Sequence, residues 1–419
     1  MHVLVVSAIF PPEPVVSAQT SAQLAEALAQ RGHQVDVITT FPNRPAGKLY
    51  PGYSRRLFRR EKTPQGIQIT RCFSILSPES SLISRFLEHI SFGLTGGWAV
   101  MRLAAPDVVY GNTWPILATG ILFAICKLRR IPLVISVQDV YPESLGAQQR
   151  IRDDGVVASW MRWLDGVIAR GAQAVLVISE RFARIYRDSR KVAAERVYVV
   201  PNWLDEDSLV LHDQPEHLRD AEGIPRDAFV LAYGGNIGVA AGLETVIEAV
   251  LRLEDLDGTY LLVGGEGSRL AACQALAQSS AGRVIFHTPW PVEETLQLLS
   301  AADLLVLPTR GTQSLASVPS KLLFYMLAAR PVLVLALPDS DVADIVARAR
   351  CGWVVEPDDP ERLAAKIKEV EAFSSAELAR RGQAGREFAL RHLSRSANVP
   401  RVIDILERAA GSSGTLVGS

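Results

Sequence analysis

Cysteine is scarce in this chain of 419 residues: only Cys72, Cys126, Cys273 and Cys351 occur, far apart and never as C-x-x-C. That spacing excludes a cysteine zinc site and a disulfide framework, and buried reduced thiols are the simplest reading. H-E-x-x-H, a Ser-His-Asp arrangement and G-x-G-x-x-G are all missing. Zinc-protease chemistry, triad hydrolysis and a dinucleotide fingerprint are therefore not indicated. Asp255-Leu-Asp257 precedes a predicted strand on the far edge of its sheet, so no metal site is expected there. Long apolar runs are lacking too. Ile116 to Cys126 is only about half of the ~20 residues that a spanning helix needs. Met1–Ser7 has no basic n-region or cleavage site and reads as a buried strand. The expected location is cytoplasmic, with peripheral contact at the inner membrane face left open.

What is present describes a globular protein. Hydrophobic residues make up 48% and charged residues 21%, and the length favours two domains. The net charge of −1 hides an asymmetry. Residues 1–200 hold 24 Lys+Arg against 15 Asp+Glu, a net +9, and the rest hold 20 against 30, a net −10. A basic first half favours anionic partners, either a phosphorylated substrate or an anionic membrane surface.

Both halves alternate strand and helix. In the first, His2–Ser7, Gln34–Thr39, Asp107–Tyr110, Leu133–Val137, Ala174–Ile178 and Tyr198–Val200 read as strands. In the second, Val230–Tyr233, Tyr260–Val263, Arg283–His287, Leu304–Leu307, Val332–Leu335 and Gly352–Val355 do so. A polar stretch, 205–228, separates the two series. The pattern predicts two Rossmann-like, doubly wound α/β domains with a cleft at the carboxyl ends of their strands. The expected boundaries are 1–204 and 205–392, with a helix at about 393–410 returning to the first domain.

The motif with most chemical content is Val318-Pro-Ser-Lys321, between a strand and a helix. Pro319 suits the first helical turn, so Ser320 and Lys321 lie where free N–H groups and the positive helix end collect. That makes an anion site, and Lys321 adds a full charge to it. Tyr233-Gly-Gly-Asn-Ile-Gly238 follows another strand of the same sheet, where Gly235 and Gly238 permit close approach of a ligand. Gly265 in Gly264-Gly-Glu-Gly267 and Trp290 in His287-Thr-Pro-Trp-Pro291 end further strands and could frame a nucleotide. In the first half, strand ends carry Glu13, Asn112, Thr113, Asp139 and Glu143, candidates for holding sugar hydroxyls. Basic, aromatic segments at Arg55–Arg60 and Ile83–Leu103 could rest on a membrane or form a core helix with a cationic rim.

In these motifs the chain resembles the retaining GT-B glycosyltransferases of sequence family four, especially bacterial enzymes of colanic-acid, O-antigen and capsule assembly. The matching pieces are Phe10-Pro-Pro-Glu13, Arg31-Gly-His-Gln-Val35, the Phe41–Tyr53 segment, Asp139–Ser144, Val200-Pro-Asn-Trp203, Gly235-Asn-Ile-Gly238 and Pro319-Ser-Lys321. The resemblance implies a nucleotide-sugar donor, most simply a UDP-sugar, on the second domain. It places the diphosphate at Asn236, Gly238, Ser320 and Lys321, with Asp139 joining Lys321 and Asn236 in catalysis. Pro14, Val16, Gly235, Ile237, Gly265, Trp290, Val318 and Pro319 complete the implied substrate-binding set with the sugar-facing residues above. It needs no metal and no other cofactor. The acceptor is a polyprenyl-linked sugar or a small sugar phosphate, as in members like sucrose-phosphate synthase. Two family glutamates are replaced here by Ala316 and Phe324, and the first-loop glycine pair by Val15-Val16. An epimerase of the same fold and a non-catalytic nucleotide-sugar-binding protein are the competing readings.

Overall fold

The computed structural model describes residues 1–44, 47–76, 82–112, 116–147, 155–206, 215–253, 258–288, 295–315 and 319–411. They form two compact units. One comprises Met1–Asn202 together with the segment from Ser396, and the other comprises Trp203–Arg395.

The first unit runs β1 (His2–Val6), α1 (Val16–Gln30), β2 (Gln34–Thr40), β3 (Phe58–Lys62), β4 (Gln68–Cys72), α2 (Leu82–Arg102) and β5 (Val108–Asn112). It continues with α3 (Ile116–Arg129), β6 (Leu133–Val137), α4 (Glu143–Ala147), α5 (Val156–Gly171), β7 (Ala174–Val177), α6 (Glu180–Arg184) and β8 (Val197–Val199). Its eight strands are ordered β3-β4-β2-β1-β5-β6-β7-β8. The central strands are apolar and β-branched because both faces are covered, as in any parallel sheet between helix layers. The sequence reading did not expect β3 and β4. β3, Phe-Arg-Arg-Glu-Lys, is charged after its first residue, β4, Gln-Ile-Thr-Arg-Cys, mixes polar and apolar residues, and β3 pairs antiparallel at the sheet edge. An edge strand wets one side, so it lacks the buried-strand signature and its charge protects it from pairing with another chain.

The second unit runs α7 (Pro215–Ala221), β9 (Phe229–Gly234), α8 (Leu243–Leu251), β10 (Thr259–Gly264), α9 (Leu270–Ala277), β11 (Val284–His287), α10 (Thr295–Ser300) and β12 (Leu304–Leu307). There follow α11 (Ser320–Leu327), β13 (Val332–Leu335), α12 (Asp341–Ala349), β14 (Gly352–Val355), α13 (Pro360–Glu371) and α14 (Ser375–His392). Its six parallel strands are ordered β11-β10-β9-β12-β13-β14. The final helix, α15 (Arg395–Gly411), packs with the first unit: Asp404 meets Arg31 at 3.2 Å and Glu407 meets His33 at 3.1 Å. His33 thus sits against the Glu407 carboxylate at the amino end of β2. All four cysteines are buried and unpaired.

Each sheet has one point where strand order reverses. In the second unit it lies between β9 and β12, because the chain moves to β10 and β11 on one side and to β13 and β14 on the other. In the first unit it lies between β1 and β5. Connections leave in opposite directions at such a point, so a crevice opens at the carboxyl ends of the two strands.

Candidate functional site

The reversal point of the second unit holds the densest functional geometry in the described chain. The loop after β9 carries Gly235–Gly238, and α11 begins beyond β12. Pro319 caps α11 with extended backbone, φ −61° and ψ 128°, so it stands one place before the first-turn position expected of it. Ser320 and Lys321 open the helix, and the first N–H groups of a helix have no intrahelical partner. The positive end of α11 is therefore exposed at Ser320.

Lys321 folds back onto the β9 loop. Its Nζ donates to the Tyr233 hydroxyl at 2.5 Å and to the Asn236 carbonyl at 3.2 Å, and stands 4.6 Å from the Tyr233 ring centre. The Tyr233 hydroxyl donates in turn to the Asn236 carbonyl at 2.7 Å. One turn along α11, the buried Tyr325 hydroxyl accepts from Gly234 N–H at 2.9 Å and donates to Gly234 O at 3.2 Å. Lys321 and Tyr325 are i, i+4 neighbours and clamp the end of β9 together. Burial pushes the Lys321 ammonium down to about 8. A cation held in a partly desolvated setting beside free amide donors has the chemistry to attract an anion.

The turn is built from glycine for a measurable reason. A Cβ on Gly235, at φ +141°, would meet Lys321 Cε at 2.2 Å, and one on Gly265, at φ +143°, would meet the Gly235 carbonyl oxygen at 2.0 Å. The β9 and β10 loops are laced by Gly235 N–H to Gly264 O at 2.9 Å, Ile237 N–H to Glu266 O at 2.8 Å and Arg269 N–H to Ile237 O at 3.0 Å. These contacts correct two expectations. Ile237 is fully buried with both backbone groups engaged, so it anchors the loop and presents nothing to a ligand. Gly265 lies beneath Gly235 and supports the turn from behind. What stays open is the exposed Asn236 side chain and the N–H groups of Asn236 and Gly238, which have no partner among the described residues.

Sequence reading missed three charged residues beside this loop. Glu244 lies in the first turn of α8 and pairs with Arg269 at 2.6 Å and Arg310 at 3.1 Å. Burial alone would raise the Glu244 carboxyl, but its own backbone amide and the two guanidiniums outweigh that and hold it below the usual range. Tyr233 and Tyr325 were missed as well. The i, i+4 spacing of Lys321 and Tyr325 was visible, but only the fold brings Tyr233 to them.

The first unit revises more of the expected sugar ligands. Glu13 is 2% exposed; its carboxylate accepts from the backbone N–H of Asn43 at 3.0 Å, Arg44 at 2.9 Å and Phe10 at 3.3 Å. It ties two loops together instead of facing open space. Both Glu143 oxygens are held by the buried Arg190, at 2.9 and 2.7 Å, and Arg190 also pairs with Asp165 at 2.7 Å. Glu143 therefore balances a buried guanidinium, which would be costly to leave unpaired. Asn112 does not reach an open strand end. It is buried, with Oδ1 unpartnered among the described residues, against a cavity of about 20 Å³ lined by α2 and α3. Pro14 is exposed and Val16, the first residue of α1, is half-buried. Asp139 fits the expectation best. It follows β6, has no partner among the described residues, and burial raises its carboxyl. Thr113, Trp290 and Val318 lie outside the described residues, as do Ala316 and Asp255–Asp257.

The comparisons agree with this architecture. Residues 17–203 match the family described as a glycosyl transferase 4-like domain, and residues 228–372 match glycosyl transferases group 1. WcaI, a glycosyl transferase assigned to colanic acid biosynthesis in Escherichia coli K12, is 27% identical over 94% of this chain and 97% of its own length. WbjE of Pseudomonas aeruginosa, also assigned as a glycosyltransferase, is 25% identical over 71% of this chain and 75% of its own. Among solved structures, sucrose-phosphate synthase from Thermosynechococcus elongatus superposes with a TM-score of 0.72 at 17% identity, covering 98% of this chain and all of that one. Anabaena HepE in complex with UDP superposes with a TM-score of 0.70 at 14% identity, over 97% of this chain and all of that one. Two glycosyltransferase family matches in tandem, on two Rossmann-like units, establish that the chain belongs to the GT-B glycosyltransferases of sequence family four.

Proposed function

We propose that the chain transfers a sugar from a UDP-sugar to an acceptor hydroxyl with retention of anomeric configuration, without a metal ion. The observation that carries this reading is the Lys321 ammonium, held over the Gly235 turn at a helix start and displaced by burial to about 8. A departing diphosphate gathers negative charge as the glycosidic bond breaks. Lys321, the Ser320 end of α11 and the Asn236 and Gly238 amides are positioned to receive that charge, and such preorganised donors act most strongly where charge develops. Retention then follows the family's usual course, in which a donor phosphate oxygen takes the acceptor proton on the same face. Asp139 is assigned to the acceptor hydroxyl because it follows a strand of the first unit, has no partner among the described residues, and burial raises its carboxyl.

The UDP preference is supported by the Anabaena HepE structures, one with UDP and one with UDP-glucose. A polyprenyl-linked sugar is favoured over a small sugar phosphate as acceptor, because the first unit carries a broad apolar and cationic surface. The test has two stages. UDP should raise the melting temperature more than GDP or ADP, since a ligand of the folded state stabilises it by mass action. With a lipid-linked sugar acceptor, NMR should show a product with the donor's anomeric configuration. Conversion of the UDP-sugar without acceptor would instead identify an epimerase, and binding without turnover across an acceptor panel would identify a non-catalytic binder.

A further inference from the structure

Three helices of the first unit, α2, α3 and α5, cover one face of its sheet. Their crossovers from β4 to β5, β5 to β6 and β6 to β7 all advance in one direction, and right-handed connections place such helices on the same side. They also touch: a Cβ on Gly93 or Gly97 of α2 would meet Ile121 or Ile125 of α3 at 2.6 and 2.7 Å. The outward side of this layer is apolar. In α2, Leu87, Leu94, Trp98 and Met101 recur at helical spacing and are exposed; Leu128 of α3 is 73% exposed. In α5, Val156, Trp160 and Trp163 form a second stripe, with Trp163 61% exposed. Among the described residues, only Val239 and Leu390 of the second unit are large apolar side chains this open. A soluble surface rarely gathers so many without a partner.

The charges on the same layer have one sign. The only carboxylates on the three helices are Glu88 and Asp165, and both are buried in ion pairs, Glu88 with Arg44 and Arg85 at 2.8 Å and Asp165 with Arg190 at 2.7 Å. Exposed cations border the apolar stripes: Arg102 closes α2 and Lys127 lies near the end of α3, with Arg130 just past it. The edge strand extends this rim, because Phe58 stacks on Trp98 with ring centres 4.7 Å apart and brings the exposed Arg55 and Arg56 alongside. No helix in the described residues is long and apolar enough to cross a membrane.

We infer that the outer face of α2, α3 and α5 docks on an anionic phospholipid surface, with the tryptophans and leucines entering the interface and the basic rim meeting the headgroups. Among the described residues, apolar side chains bordered by an excess of exposed cations match such a bilayer in both respects. A second copy of the chain does not match, because a two-fold contact would set like charges against like. The inference deepens the lipid-linked acceptor reading, but its measurement does not depend on transfer.

The experiment is co-sedimentation of the purified full chain with vesicles of phosphatidylcholine alone or with phosphatidylglycerol. Binding is expected only with the anionic lipid, and it should weaken as salt is raised. Replacing Trp160→Ser together with Trp163→Ser should lower partitioning about tenfold or more, whereas Leu390→Ser on the second unit should leave it unchanged. Each variant is checked for a UDP-induced thermal shift equal to the parent's, which shows that it is folded. The inference is overturned by absent binding to anionic vesicles at low salt, by equal binding to neutral vesicles, or by a tryptophan variant that binds like the parent. Dimerisation in analytical ultracentrifugation that the tryptophan variant abolishes would also overturn it. A retained UDP shift without vesicle binding sinks only this surface; vesicle binding without a UDP shift sinks only the donor-site reading.

Discussion

Lys321→Met should make the protein more stable and nearly inactive. Burial holds the Lys321 ammonium at about 8 against an ordinary 10.5. That displacement corresponds to on the order of 3 kcal/mol of folding stability forgone at neutral pH. The sign follows from proton counts. The unfolded chain keeps this proton up to its ordinary value, while the folded chain releases it from about 8. Between those values the unfolded state binds more protons, so stability climbs with pH there, and below about 8 the penalty is present in full. Methionine keeps the aliphatic stem and removes the charge. It also loses the hydrogen bonds to the Tyr233 hydroxyl and the Asn236 carbonyl, at about 1 kcal/mol each. The net gain is therefore about 1 kcal/mol, a rise of roughly 2–4 °C in melting temperature for a unit of this size. Turnover should fall about 10²-fold or more, since a leaving-group stabiliser is gone. Scanning calorimetry on the free protein near neutral pH and at about pH 9.5 reads the first effect, because the parent should gain on the variant as pH rises. UDP affinity of the parent should fall as pH rises through about 8, and the variant should lack that dependence. A variant that melts below the parent at neutral pH with the parent's pH slope, or that keeps turnover within about threefold, refutes the reasoning.

Other perturbations separate the remaining parts. Gly235→Ala places a Cβ 2.2 Å from Lys321 Cε, so UDP affinity measured by calorimetry should drop about tenfold or more while the far-ultraviolet spectrum is kept. Asp139→Asn should lower kcat at least about tenfold with an unchanged UDP-induced thermal shift; a lost shift would move Asp139 out of the acceptor side. Glu244→Gln weakens the hold on Arg269 and Arg310 and should cost about 1–3 kcal/mol in denaturant unfolding. Glu13→Gln keeps the shape but not the charge that gathers three backbone donors, and a loss of about 1–2 kcal/mol is expected by the same measurement.

How much of this was legible beforehand differs by element. The central strands were readable because burial on both faces leaves continuous apolar runs, as in Leu304–Leu307 and Val332–Leu335. The β3–β4 hairpin was not, because an edge strand needs no such run. The Lys321 helix start was readable because its cues are local: a proline, a short polar pair and an apolar helix behind it. The roles of Glu13 and Glu143 were misread for the opposite reason. Their placement after strands suggested ligands, but each carboxylate answers a partner from a distant segment, the Asn43 and Arg44 amides for one and Arg190 for the other.

By itself, then, the sequence determined two α/β units, their strand-and-helix alternation, and a helix start at Ser320 and Lys321, since periodicity and capping act over a few residues. Tertiary structure alone decided which strand ends adjoin, because strand order is set by pairing between segments far apart in the chain. It set Tyr233, Tyr325 and Lys321 into one clamp, buried Ile237 and Asn112, and left the tryptophans of α5 uncovered. Those outcomes depend on which groups compete for the same partner or the same space, and that competition exists only once the chain has folded.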